Sequence, residues 1–377
     1  MKTTSSQKIN TWSVRMVDST LQRYALNDFQ WHYEHGLQVM AIQKAGETTG
    51  EERYLRFVSD WIDHFVQPDG SIRTYRAGEY NVDQINAGKL LYGAYQRTGD
   101  ERYHKAIELL REQMRTHPRN TANGFWHKQI YPHQMWLDGI YMAGPFLSEY
   151  ALRFHEPATF DDVVHQITLI EKHTRDPKTG LLYHAWDESK KQRWCDPETG
   201  LSKYFWGRGV GWYVMAIVDV LDHLPQDHAG RSDLIAILDK TAAAVLRVQD
   251  GATGLWYQIL DLPEREGNYL EASASAMFVY AFAKAVREGY LSQDFLFSAR
   301  RGYHGLLRNL IKIDSQGLLT LEKVCGGAGL GGEPYRDGSF EYYIAEKIIP
   351  NDPKGVGPFI LAALEMEHPG VNGEVVE

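Results

Sequence analysis

HQMWLDGIYMAGPF (residues 133–146) contains the features that decide how this chain folds. Asp138 stands between Trp136 and Gly139, where the pattern predicts a loop that runs directly into a helix. An aspartate at such a place can cap the helix by accepting a hydrogen bond from one of its first free N–H groups. Because similar stretches recur along the chain, a second interpretation stays open, in which Asp138 performs chemistry in a shared pocket.

Glycine-centred turns recur five times, and each predicts a turn followed by a short extended segment. Their spacing is irregular and too long for the short repeats of solenoid proteins. These turns lie at residues 67–75, 120–129, 176–186, 250–259 and 314–324.

Two kinds of helix are predicted between the turns. The first carries charges around an apolar stripe, as surface helices do; it is predicted at residues 7–26, 51–66, 100–116, 160–174, 232–249 and 292–313. The second is more apolar and therefore better buried; it is predicted at residues 33–45, 83–98, 138–153, 209–224, 271–288 and 353–366.

The more apolar helices align by a small residue near the start of each, which lets neighbouring helices approach closely. The aligned residues are Gly36, Gly88, Gly144, Gly211, Ser275 and Gly357. This pattern predicts an all-α fold, an (α/α)6 barrel of six inner and six outer helices, with short β-turn segments at the mouth. We expect one domain over residues 1–377, because barrels built from repeats often exceed the usual domain length.

The composition restricts the classes of function. The formal net charge is −9 and Lys/Arg runs are absent, which argues against nucleic acid as a partner. The 10 Trp and 22 Tyr suit sugar recognition, because flat amphipathic rings cover the apolar face of a pyranose. Cys195 and Cys325 stand far apart without metal-type spacing, so we expect neither a disulfide nor a zinc site.

No membrane-spanning or signal-peptide pattern is present, which predicts a cytoplasmic protein without a membrane partner.

Two carboxylates, Asp83 and Asp138, begin successive inner helices in this scheme and are the candidates for acid/base catalysis. Neighbouring like charges would raise the pKa of one of them, so that it holds a proton near neutral pH. The alternative is that both are independent helix caps.

Aromatic and cationic side chains surround these helix starts. Trp136, Trp206 and Trp212 can stack on sugar rings. Arg208, between glycines and tryptophans, can pair with a substrate carboxylate or brace a buried aspartate, and we favour the first. His127 and His184 come from turn segments that can reach the mouth, although each also fits a structural role.

Four motifs resemble the unsaturated rhamnogalacturonyl hydrolases, glycoside hydrolase family 105. They are HQMWLDGIYMAGPF, WGRGVGWYVMAI, EASASAMFVYAF and GGAGLGGEPYRDGSFEYYIAEKIIPNDPKGVGPFILA, the last at residues 326–362. The resemblance extends over residues 31–367. It implies the same barrel and a substrate made by a pectin lyase, an oligosaccharide that ends in a 4,5-unsaturated galacturonate linked to rhamnose.

The resemblance also implies roles for individual residues. Asp138 would protonate C4 of the double bond and assist water addition at C5, while Asp83 would hold sugar hydroxyls and control the protonation of Asp138. The residues that would line the subsite for the unsaturated sugar are Tyr33, His127, Trp136, His184, Arg208 and Trp212. No metal or organic cofactor is implied.

Two physical expectations accompany this scheme. Asp138 should carry a proton at rest because it is buried beside Trp136 and Asp83. The aromatic-rich turns should form a closed pocket for a chain end, which disfavours an endo-acting glycosidase. An unsaturated glucuronyl hydrolase acting on glycosaminoglycan fragments and a non-catalytic sugar-binding barrel remain alternatives, and the chain is expected to be a monomer or a homodimer.

Overall fold

The computed structural model describes residues 11–372, and within them it is mostly helical. Six helices form an inner ring: α2 (Tyr33–Thr49), α4 (Lys89–Thr98), α6 (Leu137–Arg153), α8 (Gly207–Leu221), α10 (Ala272–Arg287) and α13 (Pro353–Glu367). Six others lie outside it: α1 (Trp12–Arg23), α3 (Glu52–Phe65), α5 (Glu101–Thr116), α7 (Ala158–Thr174), α9 (Arg231–Arg247) and α11 (Asp294–Asn309). Two short helices complete the list, α12 (Phe340–Ala345) and α14 (Pro369–Asn372).

The inner helices form a closed ring. Each packs on the next in chain order, and α13 packs back on α2. The outer helices α3, α5, α7 and α11 pack on the inner helices that precede or follow them, and α1 packs on α13. The predicted (α/α)6 barrel is therefore confirmed, although the first part of the predicted helix 7–26 lies outside the described residues.

Small residues allow the inner helices to approach closely, as predicted. A Cβ atom added to Gly36 would lie 2.7 Å from Cβ of Ala87. One added to Gly357 would lie 2.9 Å from the side chain of Leu37. Because both distances are shorter than side chains tolerate, larger residues there would force neighbouring segments of the ring apart.

The glycine-centred turns form short hairpins that lead from an outer helix towards the next inner one. Isolated antiparallel bridges close three of them, between Val66 and Ile72, Arg119 and Phe125, and Arg175 and Leu182. The last turn joins β3 (Ile311–Ile313) to β4 (Leu319–Leu321) in a regular hairpin.

Strands β1 (Gln134–Trp136) and β2 (Ala185–Asp187) pair antiparallel, with Trp136 opposite Ala185. The backbone N–H of Leu137 also donates to the carbonyl of His184 at 3.0 Å. This pairing brings the start of α6 against the segment around His184.

One inner helix begins later than predicted. The expected start at Asp83 is wrong, because two 3-10 turns (Val82–Gln84 and Asn86–Gly88) precede α4, which begins at Lys89. Long-range hydrogen bonds hold this segment: Trp31 Nε1 donates to the Gln84 carbonyl at 3.0 Å, and Asn86 Nδ2 to the Tyr141 carbonyl at 3.1 Å. These contacts fix the backbone path against the local helical pattern.

Candidate active site

The starts of the inner helices surround a cavity of about 380 Å³. Of the nine residues expected at the site, eight line this cavity: Tyr33, Asp83, His127, Trp136, Asp138, Trp206, Arg208 and Trp212. His184 does not line it and is 0% exposed. The expectation that His184 lines the substrate subsite is therefore wrong, because the side chain lies behind Asp138, where it contacts that carboxylate instead.

Of the four acidic residues predicted at the starts of inner helices, two cap a helix and two do not. Glu271 caps α10 by accepting from the N–H of Ala274 at 2.6 Å, and Asp352 caps α13 by accepting from the N–H of Lys354 at 2.9 Å. Asp138 is the second residue of α6, whose N-cap is Trp136, and Asp83 lies in a 3-10 turn. Neither Asp83 nor Asp138 is a helix cap, so the capping interpretation is wrong for both.

Asp138 is held from behind by a chain of two hydrogen bonds. His184 Nε2 lies 3.2 Å from Asp138 Oδ2, and Nδ1 of the same ring lies 2.8 Å from the hydroxyl of Tyr343. Burial raises the pKa of Tyr343 well above its ordinary value, so this hydroxyl keeps its proton. A carboxylate can only accept, so His184 Nε2 carries the hydrogen that it donates to Asp138.

Asp83 is engaged by cations. Its Oδ2 lies 2.6 Å from Lys128 Nζ, and its Oδ1 lies 3.3 Å from His127 Nε2. Burial alone would raise the pKa of Asp83, but the charges of Lys128 and His127 outweigh it and hold this pKa far below its ordinary value. Asp83 is thus a fixed negative charge, balanced within the site.

The expectation that Asp138 rests in its protonated form is wrong for the free site. Burial would raise the pKa of Asp138, yet the hydrogen bond and charge of His184, together with the charge of His127, lower it. The Asp83 charge does not counteract this, because Lys128 and His127 already neutralise it. In the unliganded protein Asp138 is therefore a carboxylate that keeps 14% of its side-chain surface exposed.

Stacked aromatic rings form one wall of the cavity. The indole of Trp136 stacks on the imidazole of His127 and on the ring of Tyr131, with centroids 4.4 Å and 5.0 Å away. Trp212, which also lines the cavity, stacks on Tyr141 at 5.0 Å and makes an edge contact with Tyr33 at 6.0 Å. Such flat walls can cover the apolar faces of a sugar ring.

Arg208 is fixed at the base of the cavity and is only 1% exposed. Its Nη1 donates to the carbonyl of Cys325 and, at 3.3 Å, to the hydroxyl of Ser273. Burial alone would lower the pKa of Arg208, and the nearby carboxylate of Glu271 is among the groups that raise it, although no hydrogen bond joins the two side chains. Arg208 therefore does not brace a buried aspartate, which leaves the substrate as the partner we favour.

Several buried donors of the cavity lining have no protein acceptor within residues 11–372. They are Trp206 Nε1 and Arg208 Nε, together with His127 Nδ1 when that nitrogen carries a hydrogen. Buried polar groups are normally hydrogen-bonded, and unsatisfied ones often mark a binding site. Hydroxyl and carboxylate oxygens of a sugar acid are suitable acceptors.

Sequence reasoning missed two residues of the site. Lys128 directly follows His127, and the FWHK motif offered a cation beside an expected site residue as a signal. Tyr343 reaches His184 from 159 residues further along the chain, and no local pattern pointed to it.

Within the described residues, His, Cys, Asp and Glu side chains form no cluster suited to a metal ion, and both cysteines are buried and free.

In the part of the chain that the structure covers, no helix is long and apolar enough to cross a membrane.

Known proteins resemble this chain over most of its length. The profile of Glycosyl Hydrolase Family 88 matches residues 6–369. A solved family 105 glycoside hydrolase of C. acetobutylicum ATCC 824 is 49% identical to this chain, and the match covers 95% of this chain and 99% of that one with a TM-score of 0.93. The unsaturated rhamnogalacturonyl hydrolase YesR of Bacillus subtilis is 28% identical over 267 residues, which are 69% of this chain and 72% of that protein.

A more distant neighbour shares the fold alone. The unsaturated glucuronyl hydrolase of Bacillus sp. GL1 is 14% identical, with a TM-score of 0.69 over 95% of this chain and 96% of that one. The family match spans nearly the whole described barrel, and the cavity lies where its inner helices begin. This chain therefore belongs to glycoside hydrolase family 88, groups with the family 105 enzymes, and is a glycoside hydrolase.

Proposed function

We propose that this enzyme removes a 4,5-unsaturated galacturonyl residue from the non-reducing end of lyase-generated rhamnogalacturonan oligosaccharides by hydrating the C4=C5 double bond. The observation that carries the proposal is the placement of Asp138 beside Trp136, with His184 behind it and Arg208 lining the same cavity. One carboxyl group can thus reach a flat sugar ring while a guanidinium receives the sugar carboxylate. The likeness to the Bacillus subtilis enzyme supports the choice of a pectin-derived substrate.

The reaction requires a proton on Asp138, and substrate binding favours the protonated form of this carboxyl group. The free carboxylate has a lowered pKa, but a bound uronate adds a negative charge and excludes water, and both effects raise it. Protonated Asp138 gives its proton to C4 as the electron pair of the double bond forms the new C–H bond. Positive charge then develops at C5, where water adds.

The second half of the reaction restores the enzyme. Asp138, now a carboxylate, accepts the proton that the attacking water loses, so no proton is consumed over the cycle. The hemiketal formed at C5 opens, and the resulting hemiacetal at C1 releases the aglycone. Because the anomeric carbon is not attacked, the carboxylate separations that distinguish inverting from retaining glycosidases do not apply.

The proposal is tested by following the ultraviolet absorbance of the conjugated double bond with two substrates in parallel. Lyase-generated rhamnogalacturonan disaccharide should lose this absorbance in the presence of the enzyme, and the chondroitin disaccharide should change far more slowly. Loss with chondroitin alone would assign the enzyme to glycosaminoglycan fragments instead. Sugar binding without any loss would favour a non-catalytic barrel.

Tyr343→Phe tests the hydrogen-bond chain behind Asp138. Removing the hydroxyl that lies 2.8 Å from His184 Nδ1 leaves that nitrogen without a partner. The hydroxyl then no longer favours one tautomer of the imidazole. We expect kcat to fall by about tenfold, in keeping with the loss of one buried hydrogen bond, with KM nearly unchanged. Steady-state kinetics on the rhamnogalacturonan disaccharide measure this, and an unchanged kcat would show that the hydroxyl does not position His184.

His184→Gln tests the control of the Asp138 pKa. In the wild type, kcat/KM should rise as the pH falls from neutral towards about pH 4, because the free carboxyl must gain a proton and its pKa is lowered. Glutamine keeps a donor but cannot carry charge, so the Asp138 pKa should rise. The decline of kcat/KM on the alkaline side should therefore move to higher pH in the variant, and a shift to lower pH would contradict the assigned role of His184.

A further inference from the structure

The rim of the cavity includes a cation that the proposed chemistry does not use. Residues 326–329 of the glycine-rich segment 326–332 line the cavity together with Arg336 and Lys347. Arg336 belongs to a segment that turns back on the loop, since Gly331 and Arg336 form an antiparallel bridge. The loop and the guanidinium therefore form one structural unit.

The glycines make room for the guanidinium. A Cβ atom on Gly329 would collide with Nη1 of Arg336, and one on Gly332 would lie 3.0 Å from Nη2. Gly331 and Gly332 also adopt φ angles of +66° and +78°, which residues with side chains rarely adopt. The close approach of the backbone to Arg336 thus explains Gly329 and Gly332, whereas Gly326 is crowded by Ile349.

The hydrogen bonds of Arg336 leave its charge uncompensated. Nε donates to the Gly331 carbonyl at 2.8 Å, while Nη2 donates to the Tyr131 hydroxyl at 2.8 Å and to the Leu330 carbonyl at 3.3 Å. All three acceptors are neutral groups, and no carboxylate of residues 11–372 lies within 4.0 Å of this guanidinium.

Two other cations at or near the same cavity are paired with carboxylates. Lys128 Nζ lies 2.6 Å from Asp83, and Lys354 Nζ lies 2.9 Å from Glu34. Arg336 has no such carboxylate partner among the described residues, and it is only partly buried. A charge kept near a cavity without a counter-ion favours an anion from outside the protein.

Arg336 lies along the same wall as the reacting groups. Its Nη2 donates a hydrogen bond to the hydroxyl of Tyr131, and the ring of Tyr131 stacks on Trp136. Asp138 follows two residues after Trp136 in the chain. A saccharide whose terminal ring occupies the site beside Asp138 can extend along this wall towards Arg336.

We propose that Arg336 forms a subsite for an anionic group, a carboxylate or a sulfate ester, on the sugar chain that leaves. This inference rests on the proposed function, because it assumes that the unsaturated ring occupies the site beside Asp138. Lys347 and Glu346, neighbours in the same cavity lining, offset each other in charge, so Arg336 supplies the excess positive charge at this rim. The preferred substrate is then an oligosaccharide with a charged aglycone, and a neutral aglycone binds more weakly.

The test uses three substrates that share the unsaturated uronyl group and carry a neutral, a carboxylated or a sulfated aglycone. Arg336→Gln should raise KM for the charged aglycones by about tenfold and leave the neutral one nearly unchanged, because a charge-assisted hydrogen bond is lost. Arg336→Lys should restore part of the affinity. A response to only one charged substrate would identify which anion the subsite takes.

Arg193→Gln is the matched control, since Arg193 packs on the ring of Tyr335 in the same region and does not line the cavity. Equal changes for all three substrates in Arg336→Gln would overturn the inference and leave Arg336 as a structural support of the loop. Wild-type turnover of the neutral substrate separately tests the proposed function. Should turnover be absent, calorimetric affinities of the same three saccharides for wild type and Arg336→Gln still decide the role of Arg336.

Discussion

Asp138→Asn is expected to lower kcat by about 10²- to 10⁴-fold, the range attributed to a single general acid or base. The amide is nearly isosteric with the carboxyl group but can neither give a proton to C4 nor receive one from water. It can still accept the hydrogen bond from His184, which lies 3.2 Å from Oδ2 in the wild type. The fold and substrate affinity should therefore be largely retained, and steady-state kinetics with circular dichroism measure both.

Asp69→Asn is the control for this substitution. Asp69 is exposed in a turn, where it accepts from the N–H of Ser71 at 2.9 Å, and asparagine can accept the same hydrogen bond. Wild-type kinetics are expected for this variant. Turnover by Asp138→Asn within tenfold of the wild type would remove Asp138 from the catalytic role.

Asp83→Asn is expected to lower the free energy of unfolding by about 3 kcal/mol at neutral pH, at the lower end of the cost of breaking a buried ion pair. The Asp83 side chain is 7% exposed, and its removal leaves Lys128 and His127 without their shared counter-ion. Urea unfolding of the wild type and the variant measures the difference. A change below about 1 kcal/mol would show that the Asp83 cluster behaves as a surface pair.

The same variant has a predicted pH dependence. The pKa of Asp83 is far below its ordinary value in the folded protein, so its stabilisation is present above the unfolded pKa of about 3.9. It is lost as the pH falls towards the folded pKa. The stability difference between wild type and Asp83→Asn should therefore narrow below about pH 4. Lys312→Gln, which removes an exposed pair with Glu322, should change stability by less than about 1 kcal/mol at any pH.

The barrel could be predicted from the sequence because its determinants are local and repeated. The alternation of charged and apolar helices follows from spacing alone, and glycines such as Gly36 mark the close approaches. The start of α4 could not be predicted in the same way. Hydrogen bonds from Trp31 and to Tyr141, residues far away in the chain, hold the segment at residues 82–88 in 3-10 turns.

The site shows the same division between local and long-range information. Trp136, Asp138 and Arg208 line the cavity from the starts of α6 and α8, which the helical pattern predicts to within two residues. His184 and Tyr343 are different, because their roles depend on which side of Asp138 they occupy. The resting charge of Asp138 was predicted wrongly for that reason, since the proximity of His184 and the neutralisation of Asp83 by Lys128 are three-dimensional facts.

The most direct test of the account is early-time NMR of the reaction in D₂O with the rhamnogalacturonan disaccharide. Hydration predicts that the double bond disappears in step with release of the aglycone, and that one solvent deuterium is delivered to a single face of C4 by Asp138. The Asp138→Asn variant should show neither event on the same time scale. Release of a free sugar that still contains the C4=C5 double bond would mean attack at the anomeric carbon, and would contradict the proposed mechanism.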